Sequence, residues 1–175
     1  GHDVVEIGVD TGGLMNLDEL KRALADGPAV VSVMWANNET GVLFPIEAIG
    51  ALCRTRGILF HTDAVQAVGK IPVDVQELGV DLLSFSAHKI YGPKGVGALW
   101  VRRGVRIMPL RDGGVQEGGR RAGTENVLLD VALGAACELA DRATTDAATV
   151  RLSRAAGIPA QGYTLTIAPD GVDIA

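Results

Sequence analysis

Lys89 is the residue with the most specific chemical promise in this sequence. It ends the run Ser84-Phe85-Ser86-Ala87-His88-Lys89, with Ile90-Tyr91-Gly92-Pro93-Lys94-Gly95 behind it. The apolar residues Leu82, Leu83 and Phe85 lead into it, and a second apolar run, Val96 to Val101, follows the glycine-rich turn. The segment therefore reads as strand, loop, strand. A lysine just beyond the carboxyl end of a buried strand is held by the scaffold and partly stripped of water, conditions that favour Schiff-base chemistry at an amine. Lys94, in Gly-Pro-Lys-Gly, is a rival on amine chemistry alone, but the strand-end position selects Lys89. Asn38 and Asp63 stand at comparable places further up the chain, each just after an apolar run.

The elements that must position these groups follow from the pattern of apolar residues. Val4 to Val9 predicts a short strand, and Thr11-Gly12-Gly13 a turn. Asn16 then caps a helix with Asp18 and Glu19 in its first turn and Leu17, Leu20 and Leu24 on one stripe. Ala29 to Trp35 is a nearly continuous apolar run, as expected of a strand covered on both faces, and it stops at Asn37-Asn38. Pro45 opens a second helix, with Arg54 and Arg56 suited to its C-terminal end before Gly57. Ile58 to Phe60 begins a further buried strand that runs into His61 and Asp63.

Strands alternating with helices over short links predict an α/β fold with a mostly parallel sheet, whose ligands lie outside the carboxyl ends of the strands. Asn38, Asp63 and Lys89 all fall at such ends, and this coincidence locates one site. Further on, the polar, glycine-rich stretch Asp112 to Gly123 is too flexible in composition for the core, although its backbone N–H groups suit a phosphate. Asn126 to Ala143 reads as a strongly apolar helix, and within Val150 to Ala175 only Tyr163 to Ile167 has the pattern of a short strand.

Four stretches, in register, carry a resemblance to a known family: Asn37-Asn38-Glu39-Thr40-Gly41, His61-Thr62-Asp63-Ala64-Val65-Gln66, the lysine segment Ser84 to Gly95, and Arg120-Arg121-Ala122-Gly123-Thr124-Glu125. Over about residues 4 to 145 the chain resembles the cysteine desulfurases of the NifS and IscS type, pyridoxal 5′-phosphate enzymes of the class V aminotransferase group. The resemblance implies the central part of the large cofactor domain of a fold-type I, aspartate aminotransferase-like enzyme at 1–145, with a divergent tail at 146–175. It implies that Lys89 binds the cofactor aldehyde and later shuttles a proton. Asp63 would hold the pyridine nitrogen protonated, Asn38 and Gln66 would hydrogen-bond the ring oxygen, and Ser86 and His88 would donate to the phosphate. Thr124 would reach the phosphate of a neighbouring subunit, making the site that of a homodimer. His61 is expected to pack near the ring.

The implied activity is removal of sulfur from L-cysteine, leaving alanine and an enzyme persulfide for iron–sulfur cluster assembly, with a sulfur-acceptor or scaffold protein as partner. Selenocysteine lyase is the neighbouring alternative, because the residues present hold the cofactor and hardly touch the substrate. A truncated, inactive remnant or a binding module on the same fold is the alternative from another class. By the same resemblance the chain is a fragment. The ring-stacking histidine and a Gly-Thr phosphate loop would precede residue 1, and the nucleophilic cysteine and the arginine that grips the substrate carboxylate would follow residue 145.

Composition narrows the field without identifying a site. At 175 residues the chain is long enough for one domain with a sizeable core. A net charge of −5 argues against nucleic acid or an anionic membrane as the main partner. No apolar run reaches membrane-spanning length, since Ser32 and Asp130 interrupt the best candidates, so a soluble chain is expected, and the resemblance implies a cytoplasmic enzyme. Cys53 and Cys137, far apart in helical patterns, have neither disulfide nor metal spacing; both are expected as small buried apolar residues, and neither as the nucleophile. No metal is expected.

Overall fold

The computed structural model describes residues 3–146 and the strands Arg151–Arg154, Tyr163–Ile167 and Val172–Ile174. Its centre is a four-stranded sheet in the order β1 (Val30–Met34), β2 (Leu59–Asp63), β3 (Leu82–Ser86), β4 (Gly97–Val101). The β1–β2 and β2–β3 pairs are parallel and β3–β4 is antiparallel. Parallel neighbours need crossovers, supplied by helix α2 (Ile46–Arg56) between β1 and β2 and by the short α3 (Val75–Leu78) between β2 and β3. The antiparallel step needs only the glycine-rich turn between Tyr91 and Val96. The carboxyl ends of β1, β2 and β3 therefore point the same way.

Local chemistry explains the element boundaries. Helix α1 (Leu17–Ala25) starts where the Asn16 side-chain oxygen accepts a hydrogen bond from Glu19 N at 3.0 Å, as the cap expected from the sequence requires. Helix α2 follows Pro45 and stops at Gly57, whose left-handed backbone (φ 67°) closes the last turn onto Arg54 and Cys53 carbonyls. The apolar stripe of α1 is buried through Leu20 and Leu24, and α2 contributes Ile46, Ile49 and Cys53. These pack on the sheet face that carries Val33, Phe60 and Leu83. Thr62 lies fully buried on that face because its hydroxyl donates to the Val33 carbonyl at 2.9 Å.

The opposite face is less covered and more polar. Strand alternation puts Ser32, Met34, His61, Asp63 and Ser84 on it. Asp81 anchors the amino-terminal edge of the sheet: its carboxylate accepts from Phe60 N at 2.8 Å and from Arg102 Nε at 2.6 Å.

Three expectations from the sequence need correction. Val4 to Val9 is not a strand, and only Val9 makes an isolated bridge, to Met15. Val4 and Val5 are 83 % and 69 % exposed, since extended backbone becomes a strand only by pairing, and no neighbour is present among the described residues. Strand β1 is not covered on both faces, for Val30 is 51 % exposed at the sheet edge. Cys53 is fully buried as expected, but Cys137 on helix α5 (Val127–Asp146) is only half-buried.

The polar stretch after β4 is exposed, with one helical turn, α4 (Gln116–Gly119), in which Glu117 and Gly118 have positive φ. At the C-terminal end, Tyr163–Ile167 is indeed a strand (β6), paired antiparallel with Arg151–Arg154 (β5) and Val172–Ile174 (β7) in a separate sheet.

Candidate active site

The three co-directed strand ends open onto a cavity of about 220 Å³ lined by Met34, Ala36, Asn38, Asp63, Val65, Gln66 and Lys89. Each strand delivers one polar function. Asp63 is the last residue of β2, and one of its oxygens accepts a hydrogen bond from Val65 N at 2.9 Å. That bond fixes the carboxylate while the second oxygen has no protein partner among the described residues. Gln66 follows on the turn after β2, half-buried, its amide likewise without a partner there.

Asn38 arrives by a different device. The neighbouring Asn37 uses its side-chain oxygen to accept from Glu39 N and Thr40 N, both at 2.9 Å, and from Thr40 Oγ1 at 3.1 Å. It is thereby committed to building the turn. Asn38 is left to face the cavity.

Lys89 closes the set. Immediately after β3 the chain forms a 3₁₀ turn, Ala87–Lys89, in which the Ala87 carbonyl accepts from Ile90 N at 3.0 Å and Gly92 N at 2.9 Å. Ala87 and Ile90 are buried, so the turn is seated in the core while Lys89 reaches into the cavity. Helix α5 lies against the turn, where Gly92 leaves room for Ala136: a Cβ at residue 92 would sit 3.0 Å from that of Ala136. The Lys89 amine has no hydrogen-bond partner among the described residues. An amine, a carboxylate and two uncommitted amides thus share one cavity with the apolar walls Met34, Ala36 and Val65.

The other residues expected at the site lie around it. Ser86 and His88 share a hydrogen bond (Oγ to Nδ1, 2.7 Å), and the Ser86 hydroxyl also lies 3.5 Å from the Val96 carbonyl. Ser86 immediately precedes the Lys89 turn and His88 is its middle residue, and neither lines the cavity. Thr124 is exposed in the loop after α4, where Gly123 N donates to Gln116 Oε1 at 3.3 Å, and it does not line the cavity either. His61 lies two residues back along β2 and is not part of the wall. Its Nδ1 is 2.8 Å from Ser32 Oγ and its Nε2 3.1 Å from Ser84 Oγ, so it bridges β1 and β3. Burial pushes its pKa below 6.5, with the charge of Asp63 opposing the shift.

Sequence reasoning passed over one nearby residue. Lys70, four positions past Gln66, sends its ammonium to the Lys89 carbonyl at 3.2 Å. Burial, and after it the charge on Lys89, lowers the Lys70 pKa from 10.5. No spacing rule relates residues 70 and 89; only the parallel packing of β2 and β3 brings their loops together. Among the described residues there is no group of three or more His, Cys, Asp or Glu side chains that could hold a metal ion, and no helix long and apolar enough to cross a membrane.

Comparisons with known proteins identify the family. The aminotransferase class-V family model matches residues 1–156. A cysteine desulfurase of Gluconacetobacter diazotrophicus is 56 % identical over 140 residues, which are 80 % of this chain and 35 % of that protein. Among solved structures, a NifS-like protein from Rickettsia africae superposes with a TM-score of 0.76 at 39 % identity, over 80 % of this chain and 40 % of that one. The structure described as SspA in complex with cysteine superposes with a TM-score of 0.76 at 34 % identity, over 97 % of this chain and 52 % of that one. The chain spans about a third of the length of the curated relatives it matches. With a family model matched over most of its length, and a fold shared with NifS-like enzymes, the chain belongs to the aminotransferase class-V family.

Proposed function

We propose that this chain carries the cofactor-holding part of a cysteine desulfurase that uses pyridoxal 5′-phosphate. The observation that carries the reading is the gathering of Lys89, Asp63, Asn38 and Gln66 around one cavity at the ends of parallel strands. The donor set fits the cofactor: an amine for an aldehyde, a carboxylate with a free oxygen for a ring nitrogen, amides for a ring oxygen, and apolar walls for a flat ring. Relatives at 56 % identity named cysteine desulfurases, and a structural neighbour described in complex with cysteine, support the choice of L-cysteine as substrate.

In this proposal Lys89 holds the cofactor and moves a proton at the substrate Cα. Asp63 would accept a hydrogen bond from the pyridine nitrogen and Asn38 and Gln66 would donate to the ring oxygen, while Ser86 and His88 would exchange their mutual hydrogen bond for bonds to the phosphate. Pyridoxal phosphate supplies the electron-withdrawing ring that takes up charge from the substrate carbon. The net reaction transfers one sulfur: L-cysteine and a thiol become L-alanine and a persulfide. Cys53 and Cys137 lie within helices α2 and α5 and not in a flexible glycine-rich loop, and burial raises the pKa of both thiols, so neither is proposed as the accepting thiol. Residues 1–145 form part of the cofactor domain and 146–175 a divergent tail. Thr124 serves the phosphate of a second copy in a homodimer, and the persulfide passes to an acceptor or iron–sulfur scaffold protein in the cytoplasm.

The purified protein is expected to take up pyridoxal phosphate with a visible absorption band that is lost in Lys89→Ala. A wild-type protein that stays colourless and cannot be reconstituted would refute the reading. Sulfide release from L-cysteine under a thiol reductant should survive in Cys53→Ser and Cys137→Ser.

A further inference from the structure

The Lys89 carbonyl is part-buried, and its one hydrogen bond among the described residues comes from the Lys70 ammonium at 3.2 Å. The two residues belong to different loops. Lys70 ends the turn that follows β2 and carries Val65 and Gln66, just after Asp63 at the strand end, whereas Lys89 ends the 3₁₀ turn after β3. A second contact joins the same loops one residue over: a Cβ placed on Gly69 would come within 2.7 Å of Ile90 Cγ2, so the backbone at 69 rests directly on the buried Ile90. Gly69 has φ 75°, a conformation that suits glycine and lets the chain turn there to present Lys70.

We propose that Lys70 is a positioning residue that ties the turn bearing Lys89 to the end of β2 and the turn after it, which bear Asp63 and Gln66, and so sets the span between amine and carboxylate across the cavity. The role of the cavity rests on the cofactor reading above; the tie itself does not. A cation is well matched to the task. A charge-assisted bond to a carbonyl is stronger than a neutral one. Burial, and after it the charge on Lys89, lowers the Lys70 pKa, in keeping with the short distance between the two residues.

The test compares wild type, Lys70→Met and Lys70→Arg. Amide hydrogen exchange without cofactor, over the peptide spanning Ala87 to Ile90 and normalised to the strand β3, should quicken about tenfold in Lys70→Met. Lys70→Arg should restore protection, because the guanidinium still donates to a carbonyl. In parallel, the proteins are treated with pyridoxal 5′-phosphate and borohydride, and the labelled lysine is identified by mass spectrometry. Labelling of Lys89 should fall about tenfold in Lys70→Met and return in Lys70→Arg. Unchanged exchange, or unchanged labelling despite faster exchange, would overturn the positioning role. A wild type that does not label at Lys89 refutes the cofactor reading instead, and the exchange result then decides the tie by itself. Lys70→Gln, shorter and uncharged, replaces Lys70→Met with the same expectation if that variant does not fold.

Discussion

Adding a single methyl group at two glycines near the same helix should have opposite effects. Gly92 sits where the Lys89 turn meets α5. A Cβ there would lie 2.9 Å from Ala87 Cβ, 3.0 Å from Ala136 Cβ and 3.0 Å from the Ala87 carbonyl oxygen. Comfortable carbon contacts are at about 3.5–4.0 Å, so the methyl overlaps its neighbours by roughly 0.5–1 Å on two sides. Neither neighbour can give way cheaply, since Ala87 is 0 % and Ala136 6 % exposed. Overpacking of this kind costs about 1–3 kcal/mol, which corresponds to a melting temperature lower by roughly 3–10 °C for a domain of this size.

Gly134 provides the internal control. It lies exposed within α5, no atom stands within 4 Å of its would-be Cβ, and its φ is not positive. Gly134→Ala should therefore stabilise the helix by about 0.5–1 kcal/mol. Thermal unfolding by circular dichroism measures both variants. Because the Gly92 methyl presses on the turn itself, Gly92→Ala should also label less at Lys89 with pyridoxal phosphate and borohydride, whereas Gly134→Ala should match wild type. A Gly92→Ala protein that melts at or above wild type and labels normally would refute the seating of Lys89 against α5.

Other perturbations test the frame around the site. His61 has a folded-state pKa below 6.5, so as pH falls through 6.5 the unfolded chain takes up a proton that the folded chain does not. Its contribution to stability is fully present above about pH 6.5 and is lost as the pH drops to the folded-state value, with a slope of at most about 1.4 kcal/mol per pH unit. Urea unfolding between pH 5 and 8 should show that slope reduced in His61→Asn; an unchanged slope would remove His61 as its source. Asp81→Ala leaves Phe60 N without its acceptor and Arg102 without its partner, and should cost about 2–3 kcal/mol by denaturant titration. Arg102→Ala should cost less, because Asp81 keeps its bond from Phe60 N. Equal losses would argue that the carboxylate acts only through the arginine.

Much of the architecture was legible before any coordinates. The periodicities that define α1, α2, β2, β3 and β4, the Asn16 cap and the Gly57 stop are local, since each depends on residues within one or two turns of chain. The order of strands and helices was enough to orient three strand ends together and to nominate Asn38, Asp63 and Lys89, all of which line one cavity. Local reasoning misjudged Val4 to Val9 because a strand is a property of a pair, and missed Arg151–Arg154 and Val172–Ile174 for the same reason.

What tertiary structure alone decided is which polar groups are spent and which are free. Asn37 and Asn38 are identical in type; the sequence nominated Asn38, but only the structure shows why Asn37 is not free, since its side chain builds the turn while Asn38 is left for the cavity. His61 reads as a strand-end residue in the sequence and nothing there singles out Lys70, yet one bridges two neighbouring strands and the other holds the backbone of Lys89. The physical reason is that hydrogen bonds saturate. A side chain already engaged by the backbone or by a neighbouring strand is unavailable to a ligand, and that engagement depends on distances between segments far apart in the chain, which sequence spacing does not encode.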